Sequence, residues 1–470
     1  RPADPSLLCQ MAIAWMLVYQ FDKAESLLTQ ADAACQAAAS KGPNPALGIC
    51  RHLQAIPCIG RGRGYEEAES RCVQAREIFE QTYGEQHALT AASLNNHAVL
   101  YLLQAKYPGA EGLVGRAHNI WTRCLGPNDT RLLASLSNLA ILYTIRGEYD
   151  KAEERINEAL AIRPSGLPEK HPVTAIVRNV AAVYRRAIGD YREAQALAGD
   201  EALAVCEDVL GSEHPNVAAI LDTMALIFAD RSLHTKSERY YLRASTITEA
   251  VWGSNHPYMA AVQDHTARLF VDDGRLDEAE QLCQQALSTL RRAFGEKHPS
   301  VADVLETYGD LEVRRSQSRQ AREYFKEALA IREEALGKEH PKVARTLGRL
   351  AAFDNGPSTY TKGVAQYTRA IEIADKALGL EHPEVAPLLY GLAGIYFQRK
   401  MVKEAEPLLE RALLIREKRL DPFHPVLADT LEAQAHLLST VDPPDEKRIK
   451  EIRDRAVAIR EAHLEADQAE

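Results

Sequence analysis

The sequence predicts an all-α solenoid of about eleven stacked helix pairs, and three observations support this fold class. The dipeptide His-Pro returns seven times, first after 43 residues and then every 42, with its histidines at His171, His214, His256, His298, His340, His382 and His424. Each interval holds two apolar stripes with the three- and four-residue spacing of amphipathic helices. A small residue recurs in the middle of each stripe. A fixed period of this length is typical of tandem helical repeats.

One unit shows how the pattern is built. Between Leu378 and Leu420 the chain reads LGLEHPEVAPLLYGLAGIYFQRKMVKEAEPLLERALLIREKRL. Helix A is predicted to start at Pro383, because proline suits the first helical position, and to end near Lys400. Helix B is predicted to start near Val402. Ala393 and Ala405 lie mid-stripe and would let the two helices approach closely. Neither helix can bury its stripe alone, so each unit needs neighbours.

The small residues carry the register through units that lack His-Pro. In helix B they are Ala68, Ala110, Ala152, Ala194, Ser237, Ala279, Ala321, Gly363 and Ala405. In helix A they are Ala98, Ala140, Ala182, Ala225, Ala267, Gly309, Ala351, Ala393 and Ala435. We therefore expect one solenoid over residues 1–470. Its regular units cover about 85–340, unit 2 (about 45–84) and unit 9 (about 341–379) are irregular, and a C-terminal unit with a polar capping helix covers about 424–470.

Unit 2 departs most from the pattern. Pro57 falls inside its helix A, where proline removes a hydrogen bond. The glycine-rich stretch CIGRGRG follows at the position of the connection to helix B. No strand precedes it and no Lys-Ser/Thr follows, so a phosphate loop is disfavoured. We interpret it as an irregular connector, with partner contact by Arg61 and Arg63 as the alternative.

Two further irregularities are predicted. Helix B of unit 5 carries one extra residue near Ala198, Gly199 and Asp200, which indicates a bulge or a short break. Helix A of unit 9 should stop early, because Asn-Gly-Pro at 355–357 occupies its last turn. Since each unit of a solenoid contacts mainly its neighbours, we expect the superhelix to bend or loosen at units 2 and 9.

Composition narrows the function classes. No apolar run approaches the ~18 residues that span a bilayer. The net charge of −10, without a basic stripe, disfavours nucleic-acid binding. The eight cysteines form no Cys-x-x-Cys pair, and we interpret them as reduced apolar residues of a cytoplasmic protein. Metal ligands crowd together only at Cys50, His52 and Cys58. This set lacks a fourth ligand, so we predict no metal site.

No catalytic constellation is present. The sequence contains no Gly-x-Ser-x-Gly, His-Glu-x-x-His or Walker-type loop. Histidines of successive units would lie two helix diameters apart, too far to share one ion. We therefore assign them a structural role in the turn before helix A. The prediction is a non-enzymatic protein that needs no cofactor.

These residues resemble the tetratricopeptide repeat in its 42-residue form, the form found in kinesin light chains. The shared pattern is G-x-x-H-P-x-V-A-x-x-L-x-x-L-A-x-x-Y, followed by G-x-Y-x-E-A-E-x-L and A-L-x-I-x-E-x-x-L-G, and it covers essentially the whole chain. The N-terminal heptad coiled coil of kinesin light chains is not visible. The resemblance implies a right-handed superhelix whose concave face, lined by the A helices, holds a peptide or a partner helix.

In kinesin-light-chain-like repeats an asparagine two residues before the helix-A alanine contacts the ligand backbone. The matching positions are Asn96 and Asn138, and Asn179 if Ala181 is taken as the small residue. An amide offers donors and an acceptor together, which suits an extended peptide. From unit 6 onward the position departs from the family, with Thr223, His265, Thr307, Arg349, Gly391 and Ala433.

The resemblance implies a scaffold that binds a peptide segment or partner subunit in the concave groove, mainly at Asn96, Asn138 and Asn179. Two alternatives stay open. The chain could be a structural spacer in a large cytoskeletal or ciliary assembly, or the regulatory arm of a longer signalling enzyme. In each case the expected partners are other proteins, with neither nucleic acid nor membrane among them, and the expected location is the cytoplasm or the cytoskeleton within it.

Overall fold

The structure is a computed structural model that describes residues 4–17, 19–37, 44–162, 170–440 and 444–468. Every regular element in these ranges is a helix, and no strand occurs among them. The all-α repeat prediction is therefore confirmed. Two helices follow each other in each unit, and the bounds below show where each begins and ends.

The first helices of the units, the A helices, are α1 Pro5–Leu17, α3 Pro45–Gly60, α5 Ala88–Leu103, α7 Thr130–Ile145, α9 Pro172–Ala187, α12 Pro215–Asp230, α14 Pro257–Asp272, α16 Pro299–Arg314, α18 Pro341–Ala351, α20 Val385–Gln398 and α22 Pro425–Ser439. The B helices are α2 Phe21–Ala37, α4 Tyr65–Tyr83, α6 Tyr107–Cys124, α8 Tyr149–Ala161, α10 Tyr191–Ala196 continued by a π-helical segment Leu197–Leu203 and α11 Ala204–Leu210, α13 His234–Trp252, α15 Leu276–Phe294, α17 Ser318–Leu336, α19 Tyr360–Leu378, α21 Val402–Arg419 and α23 Glu446–Gln468.

The small residues lie where the helices of a pair touch, as predicted. Ala98, Ala140 and Ala225 are fully buried in the A helices. In unit 6 the serine that replaces the helix-B alanine donates a hydrogen bond, Ser237 Oγ to the carbonyl of Ala225 at 2.8 Å. At Gly309 even a methyl group would collide with the Phe325 ring. Close helix approach therefore sets which residues fit at these positions.

The extra residue of unit 5 is accommodated as predicted, by a bulge inside helix B. Residues Leu197–Leu203 form a π-helical turn between two α-helical stretches. A π-turn takes up one residue without breaking the helix. The following units therefore keep their 42-residue phase.

Unit 9 is shortened but well packed. Helix α18 has 11 residues whereas α16 has 16, so the predicted early stop is confirmed. The chain then turns so that Asp354 is buried and forms ion pairs with Arg322 at 2.7 Å and Lys362 at 2.8 Å. Gly363 contacts the carbonyl of Asp354 so closely that no side chain would fit. The irregular segment is thus held by specific contacts.

The repeated histidines cap the A helices. The ring Nδ1 accepts a hydrogen bond from the backbone N–H two residues later, as from Tyr258 to His256 at 3.1 Å and from Ser300 to His298 at 3.2 Å. This satisfies a donor that a helix N-terminus leaves unpaired. The predicted structural role is confirmed. Asn44 and Asp129 provide the same cap in units 2 and 4.

The other ring nitrogen makes a contact that the sequence did not predict. In five units Nε2 donates to a backbone carbonyl at the end of a helix A that lies five units earlier. The pairs are His256 with Gly60 at 3.2 Å, His298 with Leu103 at 3.0 Å, His340 with Ile145 at 2.7 Å, His382 with Ala187 at 2.9 Å and His424 with Asp230 at 3.1 Å. We call this row of contacts the seam. It joins one turn of the superhelix to the next.

The seam fixes the winding of the solenoid. Unit 7 rests on unit 2, and the series continues until unit 11 rests on unit 6, so one turn takes about five units. The end of each helix A therefore meets the beginning of a later one, and the A helices stand around an inner channel. The separation stays at 196 and 195 residues in the pairs that involve units 2 and 9. The bend or loosening expected at these two units is not found in the seam.

Side chains reinforce the seam. Asp421 is buried and pairs across it with Arg231 at 2.6 Å and Arg192 at 3.3 Å. Further along, the rings of Tyr65 and Phe294 stack with their centroids 5.6 Å apart. Successive turns are thus joined by hydrogen bonds, ion pairs and ring packing together.

Replacing His340 with Asn should weaken the seam without uncapping α18. The Asn side chain can still cap, as Asn44 does by accepting from the N–H of Ala46 at 3.1 Å, but it is too short to reach the Ile145 carbonyl. We expect a local loss of about 1 kcal/mol, measured as faster amide hydrogen exchange around residues 146–149. The control His340→Ala should in addition expose the first turn of α18. Equal exchange in both variants would contradict the double role of the ring.

Acid should also open the seam. Burial lowers the pKa of His256, His340 and His424 to about 4, because a charged imidazolium loses its hydration there. Since an exposed histidine titrates near pH 6.5, the unfolded chain binds more protons than the folded one between about pH 6.5 and 4. The stabilisation is complete above this window and falls as the pH drops through it.

Small-angle scattering at stepped pH would measure this loss as a larger radius of gyration. Hydrogen exchange would measure it as faster exchange at the seam. The variant with all three histidines changed to Asn should start less stable and respond less to pH between 6.5 and 4. An unchanged slope in that variant would show that other groups control the acid response.

Candidate functional site

The candidate site is the inner wall of the channel, which the A helices line. A cavity of about 500 Å³ borders on residues from α6 to α22, among them Val183, His265, Lys342 and Pro387. The lining residues come from the nine units 3 to 11, so the lining is shared by two turns of the superhelix. A ligand here would contact several units at once.

The three predicted asparagines lie on A helices of units 3, 4 and 5. Asn138 is partly buried and donates through Nδ2 to Asn95 Oδ1 of the preceding unit at 3.1 Å. Asn96 is half-buried. The Oδ1 atom of Asn179 is buried without a hydrogen-bond partner among the described residues. The structure therefore brings Asn138 against Asn95, a residue that the sequence analysis did not select.

The Asn138–Asn95 bond belongs to a pattern that the sequence analysis missed. The residue nine positions after the capping residue pairs with the residue eight positions after the cap in the preceding unit. The same link joins His265 Nδ1 to Asp222 at 2.9 Å and Thr307 Oγ1 to Asp264 at 2.7 Å. Acidic residues at the eighth position, opposite donors at the ninth, were the available signal. Units 6 to 8 thus use these positions to bind each other.

Units 8 and 9 carry a buried ionic network, which we call the charge cluster. Its members are Asp303, Glu306, Arg332, Lys342 and Arg345. Arg332 is fully buried and pairs with Asp303 at 2.7 Å and Glu306 at 2.9 Å. Lys342 contacts Asp303 at 2.9 Å, and Arg345 contacts Glu306 at 2.6 Å.

The electrostatics of the charge cluster favour its ionised form. Desolvation alone would raise the pKa of Asp303 and Glu306, yet the surrounding cations hold the pKa of both carboxyls well below the usual range. The Arg332 pKa is raised by the same two carboxylates against its own burial. Buried charges are tolerated because each has a partner. The three cations of the charge cluster are therefore already paired with carboxylates of the same chain.

Two more cavities lie among units 8 to 11. One of about 750 Å³ lies at α20 and α22, and its lining includes Tyr390, Phe397, Ala433 and His436 together with Arg453 of α23. The other, of about 440 Å³, lies beside the shortened α18 and is mainly apolar, with Phe325, Phe353 and Leu388 in its wall. The first cavity lies where the ninth position after the cap holds the small residues Gly391 and Ala433. The second lies where α18 lacks its last turn. The row of paired polar residues seen in units 6 to 8 is therefore interrupted at both places.

The remaining candidates from the sequence have structural surroundings. Arg61 of the glycine-rich connector pairs with Asp22 at 2.8 Å and Glu25 at 2.6 Å. All eight cysteines are unpaired, and seven of them are buried. Burial lowers the pKa of His52 to about 4. Within the described ranges no three His, Cys, Asp or Glu side chains are placed to hold a metal ion.

None of the helices in the described segments combines the length and the hydropathy that are needed to cross a bilayer.

Comparison with known families identifies the repeat. The tetratricopeptide repeat matches residues 58–116, 106–165, 173–250, 258–334 and 342–418. These segments cover more than half of the chain and follow the units defined by the helices. No curated protein is significantly similar to the chain.

Solved structures with related folds include two Rap proteins. A Rap protein complexed with Competence and Sporulation Factor is 15% identical, with a TM-score of 0.57, over 81% of this chain and 99% of that one. The Rap conjugation gene regulator of plasmid pLS20, in complex with the Phr* peptide, is 14% identical, with a TM-score of 0.52, over 80% and 97%. A putative kinesin light chain of Podosopora anserina is 24% identical, with a TM-score of 0.35, over 45% of this chain and 98% of that one. At these identities the first two similarities concern the fold alone.

The charge cluster predicts an unequal response of two equivalent arginines. Arg332 and Arg416 each bond a threonine of the next helix A, Thr346 and Thr430, but Arg416 has no carboxylate partner within the described chain and instead lies 5.2 Å from the Tyr390 ring. Replacing Arg332 with Met should cost about 2–3 kcal/mol, because Asp303 and Glu306 lose their shared cation and keep only Lys342 and Arg345 as partners.

The matched variant Arg416→Met should cost about 1–2 kcal/mol, since it removes hydrogen bonds and leaves no buried carboxylate unpaired. Chemical denaturation followed by circular dichroism, with hydrogen exchange to locate the loss, would compare the two. Equal losses would show that the carboxylates of the charge cluster are not stabilised by Arg332.

Proposed function

We propose that this chain, which belongs to the tetratricopeptide repeat family, is a non-catalytic scaffold that binds a peptide segment of another protein in its inner channel. We assign the contact to units 3 to 5 and to Asn96, Asn138 and Asn179. We also infer that residues 1–470 form one continuous solenoid.

The polarity of the inner wall is the observation that carries this proposal. In units 6 to 9 the inner positions are occupied by residues that pair with one another, such as His265 with Asp222 and Arg345 with Glu306. In units 3 to 5 the eighth and ninth positions after the cap are uncharged, and four of these six residues are amides: Asn95, Asn96, Asn138 and Asn179. The Asn138–Asn95 bond uses one donor and one lone pair, so both amides keep unused hydrogen-bonding capacity. Units 3 to 5 therefore leave groups that can pair with a peptide backbone.

The composition supports the choice of partner and compartment. A net charge of −10 and inner cations that are already paired disfavour nucleic acid as ligand. The unpaired, mostly buried cysteines suit a reducing environment. We therefore propose protein partners and a cytoplasmic location, in which association with the cytoskeleton is one option.

The seam favours a second function, a rigid spacer in a larger assembly. Solenoids without contacts between turns flex easily, whereas here each turn is fastened to the next at His256, His298, His340, His382 and His424. A spacer would contact its partners through outer helices and ends. Hydrogen-exchange protection by a native partner would lie on the B helices for a spacer and on α5, α7 and α9 for a peptide scaffold.

Replacing Asn96, Asn138 and Asn179 together with Ala should weaken peptide capture strongly. Each lost hydrogen bond to a peptide backbone is worth about 0.5–1.5 kcal/mol, so three should reduce affinity by roughly 10-fold to 1,000-fold. Fluorescence anisotropy with peptides selected on the intact chain would measure the change.

Helix content by circular dichroism should stay the same in this triple variant. The matched control Asn157→Ala changes an exposed asparagine of the B helix α8 and should bind normally. Unaltered binding by the triple variant would remove the assignment of the site to these amides.

A further inference from the structure

We propose that the ligand of the channel is an extended peptide with a free chain end, which enters along the channel axis and not from the side. The inference rests on the proposed function and specifies the class of partner. A linear terminus of a protein or a free peptide would fit, whereas an internal loop held at both ends by a folded domain would not.

The seam closes the side wall of the channel. Its five histidine bonds begin at Gly60 and end at His424, so they join unit 2 to unit 7 at one end of the row and unit 6 to unit 11 at the other. The groove that would otherwise run between successive turns is bridged once in every unit. A chain segment entering sideways would have to separate several of these bonds at once.

The backbones at the seam approach too closely for a chain to pass between them. A methyl group on Gly189 would lie 2.5 Å from the Pro383 ring, and one on Gly147 would lie 3.1 Å from the Pro341 ring. Gly62 contacts Pro257 more closely still. The three glycines have positive φ values of 64° to 77°, which glycine adopts without strain because it has no side chain. Pro257, Pro341 and Pro383 therefore pack directly on glycine loops of the preceding turn.

Opening the wall would also expose an ion pair. The Asp421 side chain is only 5% exposed, and it is held by Arg231 and Arg192 from the preceding turn. Separating the turns would take both guanidinium groups away from this carboxylate. Opening the wall would therefore lose these two ion pairs together with the histidine bonds of the seam.

The volume of the channel favours an extended ligand. The cavity of about 500 Å³ borders on residues from nine units, from Tyr107 to Val426. This volume is spread over many units, so the space is thin. It suits a single extended strand better than a helix, which is about 10–12 Å wide with its side chains.

Thiol labelling tests the closed wall without any ligand. In a Cys124→Ser background, which removes the exposed cysteine, Val183→Cys places a thiol on the channel lining and Leu242→Cys places one on the exposed surface of α13. Each variant is treated with a maleimide on the end of linear polyethylene glycol, and with the same maleimide tethered closely to a folded carrier protein.

Leu242→Cys should react with both reagents, and Val183→Cys with the linear one. With the folded carrier, Val183→Cys should react at least about 100-fold more slowly than Leu242→Cys, because the carrier reaches the channel only when the wall opens. Equal rates for the two variants with the carrier would overturn the inference.

Binding tests the ligand class itself. Peptides selected on the intact chain from a random linear library are compared in three forms: free, joined to a carrier protein by one end, and inserted into a carrier loop by both ends. We expect the first two to bind alike and the third to lose affinity by about 100-fold or more, which corresponds to about 2.7 kcal/mol.

Full binding by the two-ended form would overturn this inference and leave the proposed function standing. Recovery of no binding peptide at all would overturn both. Peptides that bind the Asn96, Asn138 and Asn179 variant unchanged, but only with a free end, would contradict the assigned amides and support entry along the axis.

Discussion

The double hydrogen bond of the repeated histidine is the interaction on which the architecture depends. A neutral imidazole has one donor and one acceptor on opposite sides of its ring. In His340 the acceptor Nδ1 caps α18 and the donor Nε2 reaches the carbonyl of Ile145. One side chain thus starts a helix and fixes where the preceding turn ends. This geometry recurs at each unit from 7 to 11, so small deviations in the angle between units cannot add up along the chain. Successive turns of the superhelix are therefore held in contact.

Closure changes what the inner wall can be. In an open solenoid the inner face is in contact with water, and charged residues on it need no partners. Here two turns of A helices share a narrow interior, so the charges that border it, such as Asp303, Lys342 and Arg345, need partners of opposite charge. The units that do this are bound tightly to each other but have little capacity left for a ligand. Neutral amides in units 3 to 5 avoid the desolvation of charge, and so the binding capacity is expected in the first turn.

Much of this fold follows from local rules that the sequence contains. The spacing of apolar residues gave the helix pairs, and the extra residue of unit 5 and the Asn-Gly-Pro of unit 9 gave the π-turn and the short α18. The number of units per turn could not be predicted, because it depends on small packing angles between units. The partner of each seam histidine could not be predicted either, because it is a backbone carbonyl about 195 residues earlier and every residue has such a carbonyl. The Asn138–Asn95 bond could have been predicted. In later units the ninth residue after the cap is a donor and the eighth residue of the preceding unit is an acid, Asp222 or Asp264.

The choice of capping residue along the chain supports this account of the histidines. Helix capping alone is satisfied by several side chains, and the first turn uses them, with Asn44, His87, Asp129 and His171 in units 2 to 5. From unit 6 onward an earlier turn lies beneath each unit. The N-cap is histidine in five of these six units, and in unit 10, where α20 begins at Val385, His382 still accepts from the N–H of Glu384. The ring of His214 packs against Tyr19 of unit 1, and the other five donate across the seam. Asn and Asp cap as well as His but are too short to reach the preceding turn. The requirement for a second, longer contact therefore explains where the chain changes from a mixture of caps to histidine alone.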